Sequence, residues 1–512
     1  MNSSNSNEIS ISISSIKQLS QGIETGDISP VNLVETCIRR IKKLNQLLNA
    51  FITVIQEEEL YKAAQIAESQ IKQGQYLGPL HGIPFSVKDI IYAKGVRCTA
   101  GSRARSNYIS EIDSTSVAKL KKKGAILIGT NNLNEFASGI TGINPFYGST
   151  KNPWNISKIS GGSSGGSAVA VTTGMVPMSL GTDTGGSIRV PSSFCGVVGL
   201  KPTYGRISRY GVVPLAPSLD HVGCIARSAW DIAAILEYIA GWDPLDPACK
   251  NKKVPHYTKI VEESITTVGK KKSIGVPKDI FLDHLQPEIE HQFHSFLNTL
   301  RSMDVAVDDD LHLCKSNTER YYETWRDIRL AEATEIHLES FIFKSRPEDY
   351  SEEVRKMLQQ GAEISAVNYI KAVNKTIEIR NEFLRILDKE VDAIVVPTTA
   401  IVAPGFEDAK EIDYHNNNKL TAKSLATSNS SEDKALGIRE ALLRNNIIFN
   451  STGLPSVSIP IGLTRDNTPI GVQIIGAPFK EAEILSIAYN YESQNDSLNK
   501  FIPPSLSIDD NN

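Results

Sequence analysis

Short apolar runs bounded by Gly and Pro dominate this chain from about residue 78: IPFSV at 83–87, AILIG at 125–129, VPMSLG at 176–181 and VVGL at 197–200. Runs of this length, set off by turn residues, have the pattern of buried strands. Helical stretches lie between them, at Ser114–Lys123 and Asp231–Ile239. The alternation predicts an α/β fold in which a sheet of mostly buried strands is flanked by helices. After a long charged interval the same texture returns in AIVVPTT at 393–399, SVSIPIG at 456–462 and IGVQIIG at 470–476. Both ends of the chain therefore feed one sheet, and a single large domain is the simpler expectation.

The interval itself, about 255–390, is charged and helical apart from KKSIGVP near 272–277, and reads as a helical insertion in the second half. The chain opens on helix: Val31, Leu33, Val34, Ile38, Ile41 and Leu44 recur at helical spacing behind the start signal Ser29-Pro30. The segment 415–434 is polar and of low complexity, as expected of an exposed loop. The expected boundaries are a variable, partly flexible N-terminus at 1–29, a domain at 30–495 and a C-terminal tail at 496–512.

Several function classes drop out early. With 22% charged residues and a net charge of -4 there is no basic patch interleaved with aromatics, so direct nucleic-acid binding is not expected. The run Lys119–Lys123 continues a helical pattern and reads as a solvated face. No stretch approaches the roughly 20 apolar residues of a membrane span. The first residues are rich in Ser and Asn, contain Glu8 and have no Arg before Arg39, which fits neither a secretory signal nor a transit peptide and predicts a cytoplasmic protein. Six scattered cysteines without C-x-x-C spacing predict buried free thiols. His284, His291 and His294 include an H-x-x-H, but they sit in an amphipathic helix pattern without a third ligand, so neither metal nor other cofactor is expected.

Three segments carry the chemistry: GPLHGIPFSVKD at 78–89, SGGSSGGSAVAV at 160–171 and GTDTGGSIRVPS at 181–192. Their glycines suit positive φ or close backbone approach, and each glycine pair presents a serine. Flanking apolar sequence argues against linkers, and the lack of a following Gly-Lys-Ser/Thr argues against a phosphate loop. Gly162-Ser163-Ser164-Gly165-Gly166 matches G-x-S-x-G, but no apolar strand precedes it as a nucleophile elbow requires. Ser116-Val117-Ala118-Lys119 matches S-x-x-K without its companion motifs, and reads as coincidence within a helix.

Taken together the three segments resemble the amidase signature family from about residue 30 to 495, in spacing as well as composition. In that family a lysine ends an apolar G-I-P-x-x-V-K-D strand and two serines follow Gly-Gly pairs; here Lys88, Ser163 and Ser187 lie at separations of 75 and 24 residues. The resemblance implies a central mixed sheet and a Ser-Ser-Lys triad. Ser187 would be the nucleophile, Lys88 the buried and therefore neutral base, and Ser163 the relay between them through an acyl-enzyme cycle. It also implies a cis peptide at Gly162–Ser163 and an oxyanion hole from the backbone N–H groups of Thr184, Gly185, Gly186 and Ser187. Ser164, Thr182 and Asp183 are expected either to hold the triad by hydrogen bonds or simply to form turns. Arg189 is a candidate partner for Asp183.

Two function classes share these motifs. Free-standing amidases hydrolyse small-molecule amides to acid and ammonia or amine. The A subunit of glutamyl-tRNA amidotransferases releases ammonia from glutamine for partner subunits. Arg380, in IEIRNEF, resembles that subunit's carboxylate-binding arginine. Its aromatic R-Y-G segment is instead TWRDIRLAEATEIHLESF at 324–341, and Leu443, Arg444 and Asn445 stand where its acid would be. The expectation is therefore a free-standing amidase, with the glutaminase role in an amidotransferase as the alternative; a homodimer is compatible with either.

Overall fold

Eleven strands join in one mixed sheet in the computed structural model, which describes residues 13–265, 272–314, 320–339, 342–409, 437–495 and 501–504. In chain order they are β1 (Phe51–Val54), β2 (Pro84–Lys88), β3 (Ile126–Asn131), β4 (Met178–Asp183), β5 (Val198–Lys201), β6 (His221–Ala226), β7 (Ser273–Pro277), β8 (Ala306–Leu311), β9 (Ala393–Pro397), β10 (Ser456–Leu463) and β11 (Pro469–Ile475). Their order across the sheet is β1-β3-β2-β4-β6-β5-β10-β11-β9-β7-β8. Pairing is parallel around β2 and around β7, and antiparallel from β4 through to β9. The β5–β10 ladder joins the strands of the two ends of the chain, as the returning texture of 393–476 predicts.

Apolar runs become buried strands because helices cover both faces. Every residue of β2, β3, β4, β6 and β11 is buried. One face meets Phe85, Val87, Leu180, Val222 and the helix Ala229–Ile239 in the largest core; Ile126, Ile128 and the helices Pro30–Leu48 and Gly165–Thr172 form a second. Strand β8, AVDDDL, is not legible as a strand because it has almost no buried face. It is the sheet's edge, and the exposed Asp308, Asp309 and Asp310 oppose further strand pairing there.

The interval 255–390 contributes the long helices Pro287–Ser302, Tyr321–Glu339, Glu352–Ala362 and Ala366–Lys389 together with β7 and β8. Ser116 and Lys119 lie on the helix Thr115–Lys122, where Lys119 Nζ donates to the carbonyls of Ile239 and Ala240 at the end of a neighbouring helix. Five cysteines are buried and free, whereas Cys314 is exposed because it follows the edge strand. Among the described residues no helix is long and apolar enough to cross a membrane, and no cluster of His, Cys, Asp and Glu is placed to hold a metal. His284, His291 and His294 are exposed. The segment 415–434, the first residues of the N-terminus and most of the tail lie outside the described residues.

The helix Gly165–Thr172 approaches the sheet so closely that a Cβ on Gly166 would stand 2.6 Å from Asn132 N and closer still to the Ala50 carbonyl oxygen. Gly166→Ala is therefore expected to lower stability by about 1–3 kcal/mol. A fall in urea midpoint at constant slope checks this, and an unchanged midpoint would contradict the close approach.

Candidate active site

Lys88 is the last residue of β2 and is 0% exposed. Its Nζ lies 2.7 Å from Ser163 Oγ and 2.9 Å from Thr182 Oγ1. Burial lowers its pKa to about 7, against the pull of the Asp183 and Asp220 charges in the opposite sense. β2 and β4 are neighbours, so Thr182 near the end of β4 comes within reach of Lys88 by simple register. Ser163 arrives from the loop before the helix Gly165–Thr172, and the Gly162–Ser163 peptide is cis. A Cβ on Gly162 would collide with Asn134 Oδ1, which accounts for a glycine there.

Ser187 follows β4 on the second Gly-Gly loop and is buried. The two serine loops are stitched together: Ser164 N–H donates to the Ser187 carbonyl at 3.1 Å, and Ser164 Oγ donates to the Thr182 carbonyl at 3.1 Å. Ser164, the serine of the G-x-S-x-G match, is thus held by the backbone of β4 at the start of a helix.

Asp183 organises the second loop. Its carboxylate accepts from the N–H groups of Gly186 at 2.7 Å and Ile188 at 3.1 Å, and from Arg189 Nε and Nη2 at 3.0 Å each. Burial would raise this carboxyl, but the charge and hydrogen bonds of Arg189 overcome it and hold the pKa well below the usual carboxylate range. Arg189 also reaches Gln473 Oε1 at 2.9 Å and Asn450 Oδ1 at 2.6 Å, and Asn450 Nδ2 returns to Asp183. The expected pairing of Asp183 and Arg189 is thus the hub of a buried network extending to β11 and the helix Ile438–Ser451.

This network revises the expected donor set. The Gly186 N–H is already given to Asp183, because that bond shapes the loop. Among the described residues no protein acceptor is hydrogen-bonded to the N–H groups of Thr184, Gly185 or Ser187. The two glycines also have a packing reason. A Cβ on Gly185 would stand 2.6 Å from Trp325 Cζ2, and Gly186, at φ +116°, lies against Asn446.

Two further residues that the sequence does not single out hold this loop. Trp325, on the helix Tyr321–Glu339, donates from Nε1 to the Thr184 carbonyl at 2.9 Å. Asp220 accepts from Thr184 Oγ1 at 2.6 Å and also from Leu215 and Ala216 N–H groups. A trans peptide directs its C=O and N–H oppositely, so anchoring the Thr184 carbonyl aims the Gly185 N–H away from Trp325. Beside the loop, Thr182, Thr184, Asp220, His221, Ala137 and Val213 help line a cavity of ≈ 170 Å³.

Arg380 is engaged at the end of a helix. It is half-buried, and its Nη1 caps the Thr452 carbonyl at the end of the helix Ile438–Ser451. Arg444 and Asn445 are likewise occupied, bonding the carbonyls of Asp283, Phe281 and Pro397.

The sequence model described as Amidase matches residues 32–485. The chain is 34% identical over 506 residues to the A subunit of the glutamyl-tRNA(Gln) amidotransferase of Fusobacterium nucleatum, covering 94% of this chain and 97% of that protein. A solved structure described as an amidase shares 32% identity with a TM-score of 0.79, covering 94% of this chain and 100% of its own. Another, described in connection with the evolutionary origins of an s-triazine catabolic enzyme, superposes with a TM-score of 0.83 at 30% identity over 94% of this chain and 99% of its own.

Removing Arg189 would strand a buried carboxylate. Arg189→Met is expected to destabilise the protein by about 3–5 kcal/mol. Denaturant titration checks this; a loss below about 1 kcal/mol would show that the Asp183 network does not anchor the loop.

Proposed function

We propose, since this chain belongs to the amidase signature family, that it hydrolyses a carboxylic acid amide through Ser187, Ser163 and Lys88. The observation that carries this reading is a fully buried lysine amine 2.7 Å from a serine hydroxyl. A serine attacks a carbonyl only as a base takes its proton, and a lysine serves as base only when neutral. Near neutral pH much of the Lys88 population carries a lone pair. One of its N–H groups donates to Thr182 Oγ1, leaving the lone pair for the Ser163 hydroxyl.

In this reading Ser187 Oγ attacks the amide carbon as its proton passes to Ser163, whose own proton passes to Lys88. The tetrahedral oxyanion is met by the N–H groups of Thr184, Gly185 and Ser187, each such donor being worth about 3 kcal/mol in a dry site. Reversal of the relay protonates the leaving nitrogen, and ammonia or amine departs from an acyl-Ser187. Water then repeats the steps and frees the acid. No cofactor enters this cycle.

The second reading, a glutaminase subunit that hands ammonia to a partner, is favoured by the 34% identity over nearly full length to an amidotransferase A subunit. Against it, Arg380 is occupied as a helix cap and Arg444 is bound to backbone carbonyls. The two separate experimentally. A free-standing amidase releases ammonia from a primary amide when purified alone, whereas strong glutamine hydrolysis only with co-purified partner subunits supports the second.

Ser187→Ala should abolish ammonia release, and retained turnover would overturn the assignment. The pH dependence follows from Lys88. Below about 7 its amine is protonated and cannot accept, so kcat/KM rises as pH passes upward through about 7. Lys88→Met should lower the rate about 10²–10⁴-fold and remove that limb. Asp220 favours the protonated amine, so Asp220→Asn should move the limb to lower pH; a move to higher pH would contradict the electrostatic account.

A further inference from the structure

Arg329 lies one helical turn beyond Trp325 and is 7% exposed, yet it has no carboxylate partner among the described residues. Its Nη1 makes two weak contacts, to Ser138 Oγ at 3.5 Å and to Met357 Sδ at 3.2 Å. Its Nε is buried without a hydrogen-bond partner, and no acceptor among the described residues is bonded to Nη2. The guanidinium sits over the Trp325 ring, 5.1 Å from its centroid. The nearby acid Glu353 makes its ion pair with Arg439, at 3.7 Å, and not with Arg329. Burial, aided by the positive charge of Arg439 and opposed by Tyr322 and Glu353, lowers the Arg329 pKa to about 9.

A desolvated guanidinium without a carboxylate in direct contact is costly, and an anion in the fork would relieve it. Its neighbours border the reaction centre. Trp325 is bonded to the Thr184 carbonyl and packed on Gly185. Ser138 directly follows Ala137, which helps line the cavity that Thr182 and Thr184 border. We infer that Arg329 binds a carboxylate on the substrate, so that the amide hydrolysed at Ser187 is one arm of a short carboxylate-bearing molecule such as a dicarboxylic acid monoamide. This deepens the amidase reading and rests on it for the identity of the reacting bond. The planar fork would accept both carboxylate oxygens, and stacking on Trp325 would fix its plane.

The test uses malonate, succinate and glutarate as binding probes and succinamate against butyramide as substrates. By calorimetry the wild-type protein and Ser187→Ala should both bind at least one of the dicarboxylates, and Arg329→Met should bind it about 10- to 100-fold more weakly. Arg329→Lys, which keeps the charge but not the fork, should fall between them and guards against a folding defect in the methionine variant. In turnover, succinamate should exceed butyramide in kcat/KM by a similar factor, and Arg329→Met should bring the ratio close to one. Failure of all three dicarboxylates to bind the wild-type protein, or an Arg329→Met defect equal for both substrates, would overturn the inference. Turnover surviving in Ser187→Ala with dicarboxylate binding intact would instead overturn the catalytic reading and leave the anion site standing.

Discussion

Lys88 Nζ sits out of water between the hydroxyls of Ser163 and Thr182, at 2.7 and 2.9 Å. Transferring an ammonium into such a place is unfavourable by several kcal/mol, and two hydroxyls cannot replace its hydration. The group relieves the penalty by giving up its proton, which brings its pKa to about 7. The charges of Asp183 and Asp220 favour keeping the proton, but each is committed elsewhere. Asp183 is neutralised by Arg189, and Asp220 is bonded to Thr184 and two backbone N–H groups. The dryness of one lysine thus depends on the fully buried strands around β2, on helices covering both faces of the sheet, and on a counter-ion placed to serve the loop instead of the lysine.

The loop after β4 shows how a large sheet supports a small Gly-Gly turn. Asp183 binds its inner N–H groups, Trp325 takes the Thr184 carbonyl, Asp220 takes the Thr184 hydroxyl, and Asn450 joins Asp183 to a distant helix. Asp220 stands just before β6, Trp325 on the helical insertion and Asn450 on the helix before β10, so the insertion holds this loop although it carries none of Lys88, Ser163 and Ser187. A backbone anchored at its carbonyls and side chains keeps the direction of its remaining N–H groups fixed.

The site residues that the sequence singles out are those set by local pattern: Lys88 at the end of an apolar run, and Ser163 and Ser187 behind Gly-Gly pairs at fixed spacing; the structure places Lys88 against Ser163. The central strands were legible for the same reason, since burial on both faces leaves continuous apolar runs. Strand β8 was not, because an edge strand carrying three exposed aspartates lacks that pattern. Trp325 and Asn450 act on Thr184 and Asp183 from 141 and 267 residues away, a distance no local motif spans. Arg380 illustrates the converse. The motif around Arg380 says nothing of its surroundings, and the fold sets its guanidinium against the carbonyl of Thr452. The two glycines before Ser187 make room for Trp325 and Asn446, residues far away in sequence.

The proposed chemistry turns on the protonation state of one amine in the resting protein. Its most direct measurement is a pH titration of the Lys88 side chain by NMR in lysine-labelled protein, assigned by comparison with Lys88→Met. A Lys88 resonance that titrates near pH 7, well apart from the bulk of the lysines, is the predicted result. A Lys88 that stays protonated to about pH 10, as an ordinary lysine does, would contradict it.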